Sequence, residues 1–213
     1  MASELARSSK ERGRDDEKVL GRILAFSDGV FAIAILLLLI DIRLPADTTV
    51  VNSGSALIEL WPKYLAVLLS FVVIGLYWSA HVRLFREIIC YDQNLIWLNL
   101  LFLLFIVVIP FSTSVLSLHL FQLSGIIYAT AMACAGYMHT VLRIYAGSNH
   151  RLISKRLSPL YIRRGIIFSL FAPVGFTVSI GIAFINALAA MVFWVIIFIV
   201  HFIFQRRVKP QEL

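Results

Sequence analysis

The chain has 213 residues, 60% of them hydrophobic and 15% charged, with a mean hydropathy of +0.89. A soluble domain carries roughly 45–50% apolar and about 25% charged residues, so this composition excludes a water-facing globule and marks an integral membrane protein. The formal net charge of +7 then reads as membrane topology and contact with anionic lipid, not as nucleic-acid binding.

Met1 to Leu20 is rich in Arg, Lys, Asp, Glu and Ser and reads as a short disordered cytoplasmic tail (1–20) that could bury no core of its own. It does not read as a signal peptide, because the apolar run after it is too long for an h-region and ends without a small-residue cleavage site. A spanning helix needs about 20 mostly apolar residues. Stretches near 22–42, 57–82, 94–114, 119–146, 160–184 and 186–205 qualify. They predict an all-α architecture of six transmembrane helices over 21–207, followed by a cytoplasmic tail at 208–213, with no room for a soluble domain.

Helix 1 is the most informative. It opens with Arg22, reaches Phe26-Ser27-Asp28-Gly29, and continues as an aliphatic run to Ile40 and Asp41. An ionisable group at the centre of a span costs roughly 2.5–3.5 kcal/mol, so it faces a partner or water, or else sits at the interface. Spacings of 4, 3 and 4 place Gly29, Ile33, Leu36 and Ile40 on one stripe, with Leu37 adjoining it. Several copies of such a stripe around an axis would make aliphatic rings that gate by dewetting. The same periodicity also suits a stripe that faces lipid or packs against neighbouring helices.

Further along, Pro62 and Pro159 fall near the starts of helices 2 and 5, where a missing N–H is harmless. Pro110 and Pro173 fall inside helices 3 and 5 and predict kinks unless neighbours satisfy the freed carbonyls. Polar content in the spans is sparse: Trp78 and His81 late in helix 2, Asn94, Trp97 and Asn99 in helix 3, His139 in helix 4 and His201 at the end of helix 6. No HxxxH or HxxE pattern sets two ligands on one helical face, so no metal site is expected. There is no GxSxG and no phosphate-binding glycine loop. Asp28 and Asp41 lie roughly 20 Å apart along one helix and cannot share a proton. An enzyme is not expected, nor any cofactor. Cys90 and Cys134 have no CxxC or metal-ligand spacing and read as soft apolar residues.

The basic residues divide sharply between the two sides of the membrane. The N-terminal segment (Arg7, Lys10, Arg12, Arg14, Lys18, Arg22), the link after helix 2 (Arg83, Arg86), the link after helix 4 (Arg143, Arg151, Lys155, Arg156, Arg163, Arg164) and the C-terminus (Arg206, Arg207, Lys209) share one side. The other keeps only Arg43 and Lys63 of the 19. By the positive-inside rule both termini are cytoplasmic in a multi-pass protein of the cell membrane.

The run Arg22-x-x-x-Phe26-Ser27-Asp28 followed by Gly-Val-Phe-Ala-Ile-Ala, the Trp78-x-x-His81 pair, and Asn94-Leu-Ile-Trp97-Leu-Asn99 with Pro110-Phe-Ser downstream resemble the endosomal and lysosomal potassium channel family, transmembrane protein 175. The bacterial members, with one six-helix repeat per chain, are the most similar. The resemblance implies a homotetrameric cation channel in which helix 1 lines a central pore, with self-association and membrane lipids as the only partners. It places the constriction at Ile33, with further rings at Leu36 or Leu37 and then Ile40. Arg22, Phe26, Ser27 and Asp28, with Trp78, His81 and Asn99, are then an intersubunit or interhelical polar network that positions helix 1. Some members carry a Thr where this chain has Leu36. Without that hydroxyl the resemblance implies modest selectivity for potassium over sodium, with rubidium and cesium also permeant. Two other classes remain open: a secondary transporter using Asp28 or His81 as a proton or ion site, and a membrane-embedded assembly protein that carries no flux.

Overall fold

A computed structural model describes the backbone at 2–40, 61–116, 121–154, 157–186, 189–190, 192–197 and 199–200, with side chains from residue 13 onward except at 61, 62, 121 and 149. Its helices are α1 (Ala2–Ile40), α2 (Trp61–Glu87), α3 (Gln93–Leu116), α4 (Phe121–Gly147) and α5 (Pro159–Ile185). The remaining described residues within 189–200 are helical as well. Five helices among the described residues are long and apolar enough to cross a membrane, and the chain is a multi-pass, all-helical membrane protein. Of the sixth expected span, only part of 186–205 is described. Asp41, Arg43, His201, Arg206, Arg207, Lys209 and the tail at 208–213 lie outside the described residues.

One expectation changes. The segment anticipated as a disordered tail is helical from Ala2, continuous with the first span. Ala, Glu, Lys and Arg are strong helix formers, and a span that is already helical removes the nucleation cost of extending it backwards. Lys18 and Asp15, three residues apart, lie 3.7 Å apart on that extension.

The helices are layered. α1 packs on α2 and α3, α3 packs on α4, and α4 packs on α5; α1 makes no packing contact with α5. The main core joins Phe31 and Leu38 of α1 to Ile74 of α2, Phe102 and Ile106 of α3, Tyr128 and Met132 of α4, Phe176 of α5 and Trp194. A second cluster around Leu84, Leu95, Leu142 and Leu152 closes the basic end of the bundle. Close approach of α4 and α5 depends on Gly136, where an added Cβ would stand 2.8 Å from the Tyr77 hydroxyl and 2.9 Å from Pro173 Cβ. Small residues at such crossings are how membrane helices gain van der Waals contact. Pro173 removes the N–H that would bond the Ser169 carbonyl. The Thr140 hydroxyl lies 3.1 Å from that oxygen and 2.9 Å from the Gly136 carbonyl, so its proton serves both.

The links after α2 and α4 meet at one end, as the charge distribution predicts for two loops on the same side. Ile89 N–H donates to the Leu152 carbonyl at 2.8 Å, and Ser154 N–H to the Glu87 carbonyl at 3.1 Å. Asp92 caps α3 by accepting from Leu95 N–H at 2.8 Å, accepts the Tyr145 hydroxyl at 2.5 Å and pairs with Arg151 at 3.0 Å. Desolvation pulls its carboxyl upward, but the Tyr145 hydroxyl, the Leu95 N–H and the Arg151 guanidinium outweigh it and hold the group below its usual range. Nearby, Arg143 pairs with Glu87 at 3.2 Å, both mostly buried, and the Tyr161 hydroxyl donates to the same carboxylate at 2.9 Å. At the start of α5, Ser158 caps the helix by accepting from Tyr161 N–H, with Pro159 in the first turn.

Candidate pore-lining helix

α1 has two faces of opposite character. Leu20, Ser27, Phe31, Ala34 and Leu38 recur at helical spacing and are buried against α2 and α3. On the other face Ile33 is 57% exposed, Leu36 56%, Leu37 39% and Ile40 51%. An added Cβ at Gly29 would meet nothing within 4 Å. The aliphatic stripe is therefore an exposed face among the described residues.

The buried face is held by a directional chain of hydrogen bonds. Ser27 Oγ donates to the Ile23 carbonyl at 2.9 Å, as a serine within a helix can. Having used its proton, it accepts from Asn99 Nδ2 at 3.0 Å. Asn99 Oδ1 can only accept, so His81 Nε2, 2.8 Å away, is the donor, and this bond assigns the tautomer. Ser27, His81 and Asn99 are all buried, so each bond forms where losing a partner is costly. Aromatic rings enclose the imidazole: Phe102 stacks at 5.6 Å and 14°, and Phe31 and Phe85 lie at 5.8 and 4.4 Å. A second, exposed tie joins the same helices, as Trp78 Nε1 donates to Asp28 Oδ1 at 2.7 Å.

Of the residues expected in the network, Ser27, Asp28, Trp78, His81 and Asn99 come together. Arg22 and Phe26 do not: Phe26 is 57% exposed. Arg22 is exposed and makes no hydrogen bond or ion pair among the described residues. Trp78, rather than Arg22, is the partner of Asp28 within the chain. His81 turns inward to Asn99, while Asp28 stays at the surface with Trp78. The aromatic enclosure by Phe31 and Phe102 has no signal in the sequence, since the two rings lie on different helices and meet only in the fold. Among the described residues, no group of His, Cys, Asp and Glu is placed to hold a metal ion.

Comparison with known proteins bears on this helix. The family model of the endosomal/lysosomal potassium channel TMEM175 matches residues 22–110, which run from the middle of α1 through most of α3. A potassium channel of Streptomyces collinus is 32% identical over 172 residues, covering 78% of this chain and 84% of the relative. A potassium channel of Chamaesiphon minutus is 35% identical over 147 residues, 66% of this chain and 72% of the relative. The crystal structure of a lysosomal potassium-selective channel TMEM175 homolog from Chamaesiphon minutus superposes with a TM-score of 0.76 at 29% identity, covering 89% of this chain and 98% of that one.

Proposed function

This chain belongs to the endosomal/lysosomal potassium channel TMEM175 family, and from that premise we propose that it is a potassium-permeable channel of the cell membrane whose pore is lined by α1. Its relatives are channels, and it is not an enzyme. The observation that carries the pore assignment is the contrast between the faces of α1. One face is locked by Ser27, Asn99 and His81; the other leaves Ile33, Leu36, Leu37 and Ile40 exposed. A single copy of α1 cannot enclose a pore, so the functional unit is an oligomer, and a homotetramer brings four stripes to one axis. Both termini face the cytoplasm, on the side of the basic links.

In that arrangement Ile33 forms the narrowest ring and Leu36, Leu37 and Ile40 the layers beyond it. Aliphatic rings supply no oxygen to replace lost hydration, so conduction requires the ring to wet and the ion to keep part of its water. Discrimination among alkali cations then rests on partial dehydration alone. Potassium is favoured over sodium modestly, and rubidium and cesium pass as well. No resident metal or cofactor is required.

The test is flux through the purified full chain in liposomes under potassium and sodium gradients. Unitary currents with modest potassium preference in bi-ionic reversal potentials are expected. Saturable, proton-coupled uptake would instead support a transporter, and absence of any flux would support a membrane-embedded assembly role.

A further inference from the structure

On the side of the bundle away from α1, a groove of about 430 Å³ runs between α5 and the helical residues at 189–200. Its walls are aliphatic and aromatic, with Ile167, Leu170, Phe171 and Val174 from one side and Phe193 and Ile196 from the other. The volume lies within the roughly 300–1,000 Å³ typical of small-ligand sites. The groove follows α5 from Ile167 to Gly175, a rise of roughly 12 Å at 1.5 Å per residue.

What stands at its mouth identifies the occupant. Arg163 and Arg164 precede Ile167 by four and three residues, so both project onto the groove stripe, one turn closer to the basic side of the membrane. Both are exposed, and neither makes an ion pair among the described residues. Arg143 and Arg151, the other described arginines of this link, are already paired with Glu87 and Asp92. Two free guanidiniums above an apolar slot at membrane depth match a ligand with an anionic head and a hydrocarbon tail. A second copy of the same face would bring like charges together and is disfavoured for that reason.

We propose that this groove is a binding site for one anionic phospholipid of the cytoplasmic leaflet, its phosphate on Arg163 and Arg164 and an acyl chain along Ile167, Leu170 and Val174. The proposal rests on the reading that α1 lines the axis, because the layer order then leaves α5 outermost and open to lipid.

Native mass spectrometry of the full chain released from micelles tests it. The protein is titrated with a phosphatidylglycerol, with a phosphatidylcholine of the same chains, and with inorganic phosphate. Saturable retention of phosphatidylglycerol at one molecule per protomer is expected, without comparable retention of phosphatidylcholine. R163Q/R164Q should weaken phosphatidylglycerol binding on the order of tenfold, and R163K/R164K should largely preserve it. L170W, which fills the slot and leaves the charges intact, should weaken it as well. Unchanged retention in R163Q/R164Q or in L170W would overturn the site, as would full displacement by inorganic phosphate. The same spectra count protomers: a mass other than the tetramer, with the lipid preference intact, would break the pore reading and leave the site standing.

Discussion

α1 and α5 are equally uncovered by the rest of the chain, with 22% of the apolar window of each buried, against 61% in α4. They differ in how they are held. α1 is tied by Ser27 to Asn99, and through Asn99 to His81, so one hydrogen-bonded chain spans three helices. α5 is held by separate bonds, from the Tyr161 hydroxyl to Glu87, between Tyr137 and Thr177, from Trp194 Nε1 to Ser179 and through the shared Thr140 hydroxyl, beside close packing at Gly136 and Pro173. The first arrangement fixes rotation about the helix axis. A one-residue slip turns a helix by about 100°, which would carry Ile33 off its stripe. A helix that faces lipid tolerates such rotation; one that contributes to a ring of side chains does not. Exposure alone does not separate the two helices; what sets α1 apart is that its tie is one continuous buried chain through three helices.

The largest expected effect comes from cutting that tie. Asn99→Ala leaves Ser27 and His81 buried without their partner, at about 1–3 kcal/mol for each unsatisfied group. A clear drop in the melting temperature of the detergent-solubilised protein and loss of liposome flux are expected. Retained stability and flux would mean that the network does not position α1. A smaller effect should distinguish the exposed faces. Leu36→Thr restores a hydroxyl to the stripe and should raise potassium over sodium selectivity in bi-ionic reversal potentials, whereas Val178→Thr on the exposed face of α5 should leave it unchanged. Equal responses would erase the distinction between the helices. The smallest effect lies behind α5: Thr140→Val removes the hydroxyl that serves the Ser169 carbonyl, for roughly 0.5–1.5 kcal/mol of stability. Flux should be unaffected, and a large conductance change would show that α5 is coupled to the pore.

Much of this comparison is legible in the residues themselves. Apolar run length places the described spans to within a few residues, because bilayer thickness constrains them all. The basic residues place the links after α2 and α4 on one side, where Ile89 and Leu152 meet. The period of Gly29, Ile33, Leu36 and Ile40 defines a stripe, but periodicity cannot say which face of a uniformly greasy helix turns inward. Ser27 and Asn99 decide that, and they lie 72 residues apart. The sequence names Trp78, His81 and Asn99 as companions of Asp28 without saying which one pairs with it, and the structure brings Trp78 across from α2. The helical extension back to Ala2 is not legible from hydrophobicity, because a polar segment has no apolar face to mark it, although it consists largely of good helix formers.

The central claim is that Ile33 forms the narrowest ring, and the most direct measurement is the unitary potassium current of Ile33→Asn beside the unsubstituted chain under identical gradients. An amide at that level lets water persist in the constriction, so the account predicts a several-fold larger current. A current of unchanged amplitude would contradict it and move the constriction away from Ile33.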